Sequence, residues 1–172
     1  DEFISYFTEN YTDYKYIKAN LYESTTDESN NSKDAALSDE DAKKITDEFD
    51  GYAKELNNGT SFDDVLNKYK TANSLTDDPS TSAVENLKSS SLGDELKTAL
   101  GEMKANEAKT VKVGSGNTAV YYLIYKGDIN SDIDSYVYDS TQRNKLLADM
   151  KKDEFAKYVD DLAQKTDCEK NQ

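Results

Sequence analysis

The chain has 172 residues, with 21 Lys and Arg against 35 Asp and Glu, a net charge of −14, and no histidine. So acidic a surface repels phosphate backbones, which excludes nucleic-acid binding as the expected role and favours basic or neutral partners. The one cysteine, Cys168, leaves no internal disulfide and no CxxC site, and with no histidine to activate it a thiol nucleophile lacks its usual base.

In chain order, Phe3, Tyr6, Phe7, Tyr11 and Tyr14 recur at helical spacing and predict a short amphipathic helix ending near Tyr11. Tyr14 to Glu23 alternates and is rich in β-formers, which predicts a strand, and the Ser/Asn/Asp-rich stretch from Ser24 to Lys33 predicts a loop. Ser38-Asp39-Glu40-Asp41 has the capping-box pattern, and Ala42, Ile45, Phe49, Tyr52, Ala53 and Leu56 then form one apolar helix face. Asn57-Asn58-Gly59 stops that helix, and Ser61-Phe62-Asp63-Asp64 caps a short second one bearing Val65, Leu66 and Tyr69.

Lys70 to Thr81 reads as loop and holds the sole proline, Pro79; Ser82 to Leu87 is strand-like. Ser91-Leu92-Gly93-Asp94 predicts a third capping box, followed by Leu92, Leu96, Leu100 and Met103 on one face. Thr110–Val113 and Ala119–Tyr125, separated by Gly114-Ser115-Gly116-Asn117, predict a hairpin. A polar connector then leads to a long helix whose buried stripe is expected at Leu147, Met150, Phe155, Tyr158, Val159 and Leu162. Strands scattered among helices and closed by a hairpin predict an α+β fold with an antiparallel sheet. No run approaches the length of a membrane helix.

Three segments carry a family resemblance. Leu56-Asn57-Asn58-Gly59-Thr60-Ser61-Phe62-Asp63-Asp64-Val65 looks like the word L-x-x-G-x-x-F-x-x-L/V-A. Leu96 to Lys109 with the following hairpin is similar to A-x-x-L-K-x-G-E-V-S-x-P-V … G-Y-H-I-I-K, and Ile17-Lys18-Ala19-Asn20-Leu21 to I-K-A-x-H-I-L. In this order they resemble the parvulin-type peptidyl-prolyl isomerase (rotamase) domain of exported foldases of the PrsA and SurA kind.

The resemblance implies a parvulin-like (FKBP-like) antiparallel four-stranded sheet surrounded by helices over residues 14–127. It makes 1–13 and 128–172 the extra N- and C-terminal helices of a chaperone-type region, where Lys151-Lys152-Asp153-Glu154-Phe155 is similar to L-K-x-E-F. The implied role is an extracytoplasmic foldase or chaperone that binds unfolded or proline-containing polypeptides without a cofactor. The implied setting is a cell-surface lipoprotein of a Gram-positive-type bacterium, its lipid anchor outside this chain, with a homodimer among the expected states.

The family's two cleft histidines would fall at Leu21 and near Tyr122, its acidic or Cys position near Asn73 or Asp78, and its Gly-Gly-Asp-Leu-Gly word is replaced by Ala83-Val84-Glu85-Asn86-Leu87. Leu92 and Leu96 stand where the family's Met and Phe line the proline pocket. The implied substrate-binding set is therefore Leu21, Leu92, Leu96 and Tyr122, and Tyr122, Asp78 and Asn73 are the remaining catalytic candidates. The expectation is peptide binding with little or no isomerase activity. The alternatives are an active isomerase with a non-standard site and a non-catalytic surface interaction domain. For Leu21 the competing reading is ordinary core packing; for Tyr121 and Tyr122 it is strand alternation, one ring in and one out.

One metal pattern competes. Asp128, Asn130, Asp132, Asp134 and Asp139 occupy the ligand places of an EF-hand-like calcium loop, but Ile133 stands where the sharp turn needs glycine and Asp139 where the longer Glu is usual, so a polar connector is the preferred reading. Asn10, Asn30 and Asn58 match glycosylation acceptors.

Overall fold

The computed structural model describes residues 2–26, 32–77 and 80–170; for 80–82 and 166–170 this covers the backbone alone. The chain divides into two compact units, Tyr11–Ile129 and the paired chain ends Asp1–Asn10 and Asn130–Gln172.

The first unit is built on four antiparallel strands in the order β4-β1-β6-β5: β1 (Tyr11–Asn20), β4 (Ser80–Asn86), β5 (Ala108–Val113) and β6 (Val120–Lys126). With several helices around it, the architecture is α+β with an antiparallel sheet, as the strand and helix pattern predicts, and the sheet has four strands. Alternation sends Ile17, Ala19, Tyr121, Leu123 and Tyr125 to one face and Tyr14, Tyr16, Tyr122 and Ile124 to the other.

Helices α2 (Asp39–Asn57) and α3 (Phe62–Ala72) cover the first face, burying Phe49, Leu56, Phe62 and Val65 against Ile17 and Leu123. Both begin as their sequences dictate. The Ser38 hydroxyl accepts the Asp41 N–H at 3.1 Å and donates to the Asp41 carboxylate at 2.8 Å, and Ser61 repeats this with Asp64 at 3.1 and 2.7 Å. Gly59, at φ +97°, turns the chain from α2 into α3. The other face is covered by α4 (Asp94–Glu102), through Leu96, Ala99 and Leu100 with Met103 at its end, and Leu87 and Leu92 before the helix pack against the same cluster.

Several sequence expectations need correction. The first strand starts at Tyr11, not Tyr14, and ends at Asn20. Leu21 then bridges two segments, its N–H donating to the Ala119 carbonyl and its own carbonyl accepting from Leu37. The expected loop after it holds a second, two-stranded sheet, β2 (Tyr22–Thr26) with β3 (Ser32–Ala36). Its polar composition is compatible with strand because the side chains pair across it: the Ser24 hydroxyl donates to Asp34, and Thr25 to the Lys33 carbonyl at 3.2 Å.

The second helix, expected to be short and followed by loop from Lys70, runs on to Ala72. The third capping box does not form. Gly93 is the N-cap of α4 without a side-chain bond, because Ser91 lies two residues too early; Ser90 instead accepts the Leu92 N–H at 3.1 Å.

In the second unit, α1 (Glu2–Asn10), α5 (Ile133–Tyr136) and the 31-residue α6 (Ser140–Lys170) pack together. Phe7 stacks on Tyr136 with ring centroids 5.1 Å apart, the Tyr6 hydroxyl donates to Asp153 at 2.7 Å, and the Arg143 guanidinium lies 4.5 Å from the centre of the Phe3 ring. The expected single buried stripe of α6 is in fact two. Leu146 and Met150 are buried, but Phe155, Tyr158, Val159 and Leu162 are 68%, 60%, 44% and 45% exposed. At 3.6 residues per turn these four centre roughly 150° around the helix from Leu146 and Met150. A count of apolar residues alone does not reveal that reversal.

The connector does not take the form of an EF-hand loop. Residues Ile129–Asp132 form a 3₁₀ turn and Ile133 opens α5, so the sharp loop turn is replaced by helix. Among the described residues, no group of three or more His, Cys, Asp or Glu is gathered closely enough to hold a metal ion. Among them, too, no helix is long and apolar enough to cross a membrane.

Candidate functional site

The α4 face of the main sheet is where the sequence-derived candidates meet. Helix α4 is nine residues long and is fastened at its C-terminal end. The Lys126 ammonium donates to the Leu100 and Met103 carbonyls, both at 2.8 Å, closing the C-terminal end where a cation suits the helix dipole. Burial holds the pKa of that lysine below its usual range, against an opposing pull from Glu107. At the other end, a Cβ on Gly93 would stand 3.6 Å from Val113, so α4 starts beside the end of β5.

Beside α4 the face is aromatic. Tyr14 stacks beside Tyr16 at 6.1 Å, and Tyr16 meets Tyr122 edge-on at 5.5 Å. Leu87, Leu92, Val111 and Val113 flank them. Tyr14 is buried, and its phenol is pushed up to about 12, by desolvation first and then by Glu85 and the two neighbouring phenols. Tyr16 and Tyr122 are half-buried and pack against the cluster. The result is an apolar shelf with polar tips, a surface suited to the backbone and rings of an extended peptide.

Three of the expected residues, Leu92, Leu96 and Tyr122, lie in this one cluster. Leu21 is buried but lies outside it, at the junction to Ala119 and Leu37. Asn73 is the C-cap of α3, on the helix that covers the opposite face, and its side-chain amide donates to the Tyr69 carbonyl at 3.0 Å. Asp78 lies outside the described residues. Tyr121 and Tyr122 do alternate: the Tyr121 hydroxyl is bonded at 3.0 Å to both Asp50 and Thr110 on the α2 face, while Tyr122 is on the shelf.

Sequence reasoning missed Tyr14 and Tyr16 as members of the shelf. The signal was present, since they share parity along β1 and β1 is bonded to the strand bearing Tyr122. The shelf holds phenols and aliphatic side chains, with Glu85 acting on Tyr14 from its margin. Among the described residues it offers no carboxylate pair and no imidazole for proton transfer. No family model matches this chain, and no curated protein or solved structure matches it.

Proposed function

We propose that the protein is a polypeptide-binding module of the extracytoplasmic foldase type, a parvulin-like domain that holds unfolded or proline-containing chains and carries little or no isomerase activity. The observation behind this reading is the partly open tyrosine shelf of Tyr16 and Tyr122 beside Leu92 and Leu96. An apolar platform of this kind removes water from a bound imide and favours its twisted form, which is the part of rotamase chemistry that needs no proton transfer. The exposed stripe Phe155, Tyr158, Val159 and Leu162 in the other unit supplies a second apolar surface for a non-native chain.

The deciding measurement is suppression of aggregation of an unfolding client at near-stoichiometric protein, read by light scattering. Tyr16→Ser/Tyr122→Ser should lose most of the suppression while unfolding at a similar denaturant concentration; full suppression by that variant would defeat the reading. In a protease-coupled assay on X-Pro peptides the rate should match the buffer blank. An accelerated rate that Leu96→Asp removes would instead favour an active isomerase, with the Tyr122 hydroxyl as its polar group.

A further inference from the structure

Strand β5 is an edge of the main sheet, paired only with β6. The Lys126 N–H donates to the Glu107 carbonyl at 2.9 Å, which fixes the phase of the ladder. By antiparallel alternation Lys109, Val111 and Val113 then turn their peptide groups toward Ile124, Tyr122 and Val120, and Ala108, Thr110 and Lys112 turn theirs outward. The outward groups of Ala108 are already bonded by a side chain that imitates a neighbouring strand. The Asn57 carboxamide accepts the Ala108 N–H at 2.8 Å and donates to the Ala108 carbonyl at 2.9 Å. The next two outward positions, Thr110 and Lys112, have no backbone partner among the described residues.

Beside this open ladder runs a groove of about 530 Å³, walled by β5 and by one side of α4. The α4 wall carries Asp94, Glu95, Thr98 and Glu102. The groove is lined by these three carboxylates and by two lysines, Lys109 and Lys112; Glu102 is bonded to Lys109 at 3.2 Å, and Asp94 and Glu95 form no ion pair among the described residues. The groove therefore offers two unfilled backbone pairs in register with one that is filled, next to these two carboxylates.

From this geometry we infer that the β5 edge is a strand-addition site for an extended, Lys- or Arg-bearing peptide segment. Its backbone continues the ladder from Asn57 along Thr110 and Lys112, and its basic side chains face Asp94 and Glu95. Main-chain bonds supply the attachment and the carboxylates choose the sign of the ligand. The net charge of −14 draws such a segment toward the surface. The groove shares Ala99 and Val111 with the cluster that carries the tyrosine shelf, but the attachment argued here is to the β5 backbone and not to the tyrosine rings.

The probe is a capped seven-residue peptide alternating Val and Lys, compared with its Val and Glu counterpart, followed by calorimetry and by amide exchange of the protein. The Val/Lys peptide should bind, and the Thr110 and Lys112 amides should become protected. Lys112→Pro, which edge strands tolerate and which removes one outward donor, should weaken binding by about fivefold. Asp94→Asn/Glu95→Gln should abolish the preference for the basic peptide without touching the sheet, and it serves as the test should Lys112→Pro unfold. Failure of the Val/Lys peptide to bind, equal binding of the acidic peptide, or absence of protection at Thr110 and Lys112 would overturn the assignment. So would binding lost in Tyr122→Ser, because the peptide would then lie on the shelf.

Discussion

The two faces of the main sheet are built from neighbouring residues of the same strands and yet are finished differently. On the α2 and α3 face, helices of 19 and 11 residues close over the strands. There the polar atoms are matched across elements. Asp50 accepts from Thr110 at 2.7 Å and from Tyr121 at 3.0 Å, and Asn57 ties the end of α2 to β5. On the α4 face a nine-residue helix packs on the sheet, and Tyr16 and Tyr122 are half-buried, as Tyr121 and Tyr125 are on the first face. What separates the faces is bonding: the Tyr121 hydroxyl is held by Asp50 and Thr110, whereas the Tyr16 and Tyr122 rings meet each other edge-on.

Mutations can break this comparison. The largest effect is expected at Phe49, fully buried on the closed face and in edge contact with Tyr69: Phe49→Ala should cost about 3–5 kcal/mol in denaturant unfolding. If Tyr16→Ala costs as much, the α4 face is core and not shelf. Next, Asn57→Ala strips both bonds from Ala108 and should cost about 1–3 kcal/mol, the usual result of orphaning part-buried polar groups.

The adjacent pair Tyr121 and Tyr122 gives a finer contrast. Tyr121→Phe removes bonds to Asp50 and Thr110 and should cost about 1–1.5 kcal/mol, whereas Tyr122→Phe should stay within about 0.5 kcal/mol. Equal losses would erase the distinction between the faces.

Alkaline titration sharpens the same picture. Tyr14, Tyr52, Tyr69 and Tyr121 all have pKa values raised in the fold, with burial the first cause in each. A phenol whose folded pKa lies above its unfolded value of 10 stabilises the fold fully below pH 10, and that stability is lost as pH rises through the folded value. Lys126, lowered by burial, acts in the opposite sense. Stability should therefore fall from about pH 10 upward, and phenolate absorbance should show a late-titrating fraction that includes Tyr14 near 12. With no histidine, stability measured between pH 6 and 8 should be flat.

Much of the closed face was legible in the sequence because it follows local rules. Ser38 and Ser61 cap their helices with the aspartates three residues on, and the apolar period of α2 names its buried side. The candidates Leu92, just before α4, and Leu96, within it, were legible for the same reason, but their relation to Tyr16, more than seventy residues away, depends on strand pairing, which periodicity does not encode. The β2–β3 pair was hidden because Ser, Thr and Asp favour loops unless a cross-strand partner satisfies them. Asn57 read as a helix stop, and its bond to Ala108, 51 residues away, has no local signature. In α6 the residues were identified as apolar, but whether a stripe is covered is decided by neighbours, and Phe155, Tyr158, Val159 and Leu162 stand exposed.

That last feature sets how the molecule should be cut. From Glu154 to Lys165 every described side chain of α6 is exposed, so these turns can open without uncovering anything buried. Phe155, Tyr158 and Leu162 are the side chains that chymotrypsin prefers, and they are presented on the segment least expensive to unwind. Brief digestion should trim the helix there first, at a rate governed by local fraying and not by global unfolding, and release a shortened chain with the four-stranded sheet whole. A ligand that settles on this stretch would announce itself by slowing that one cleavage.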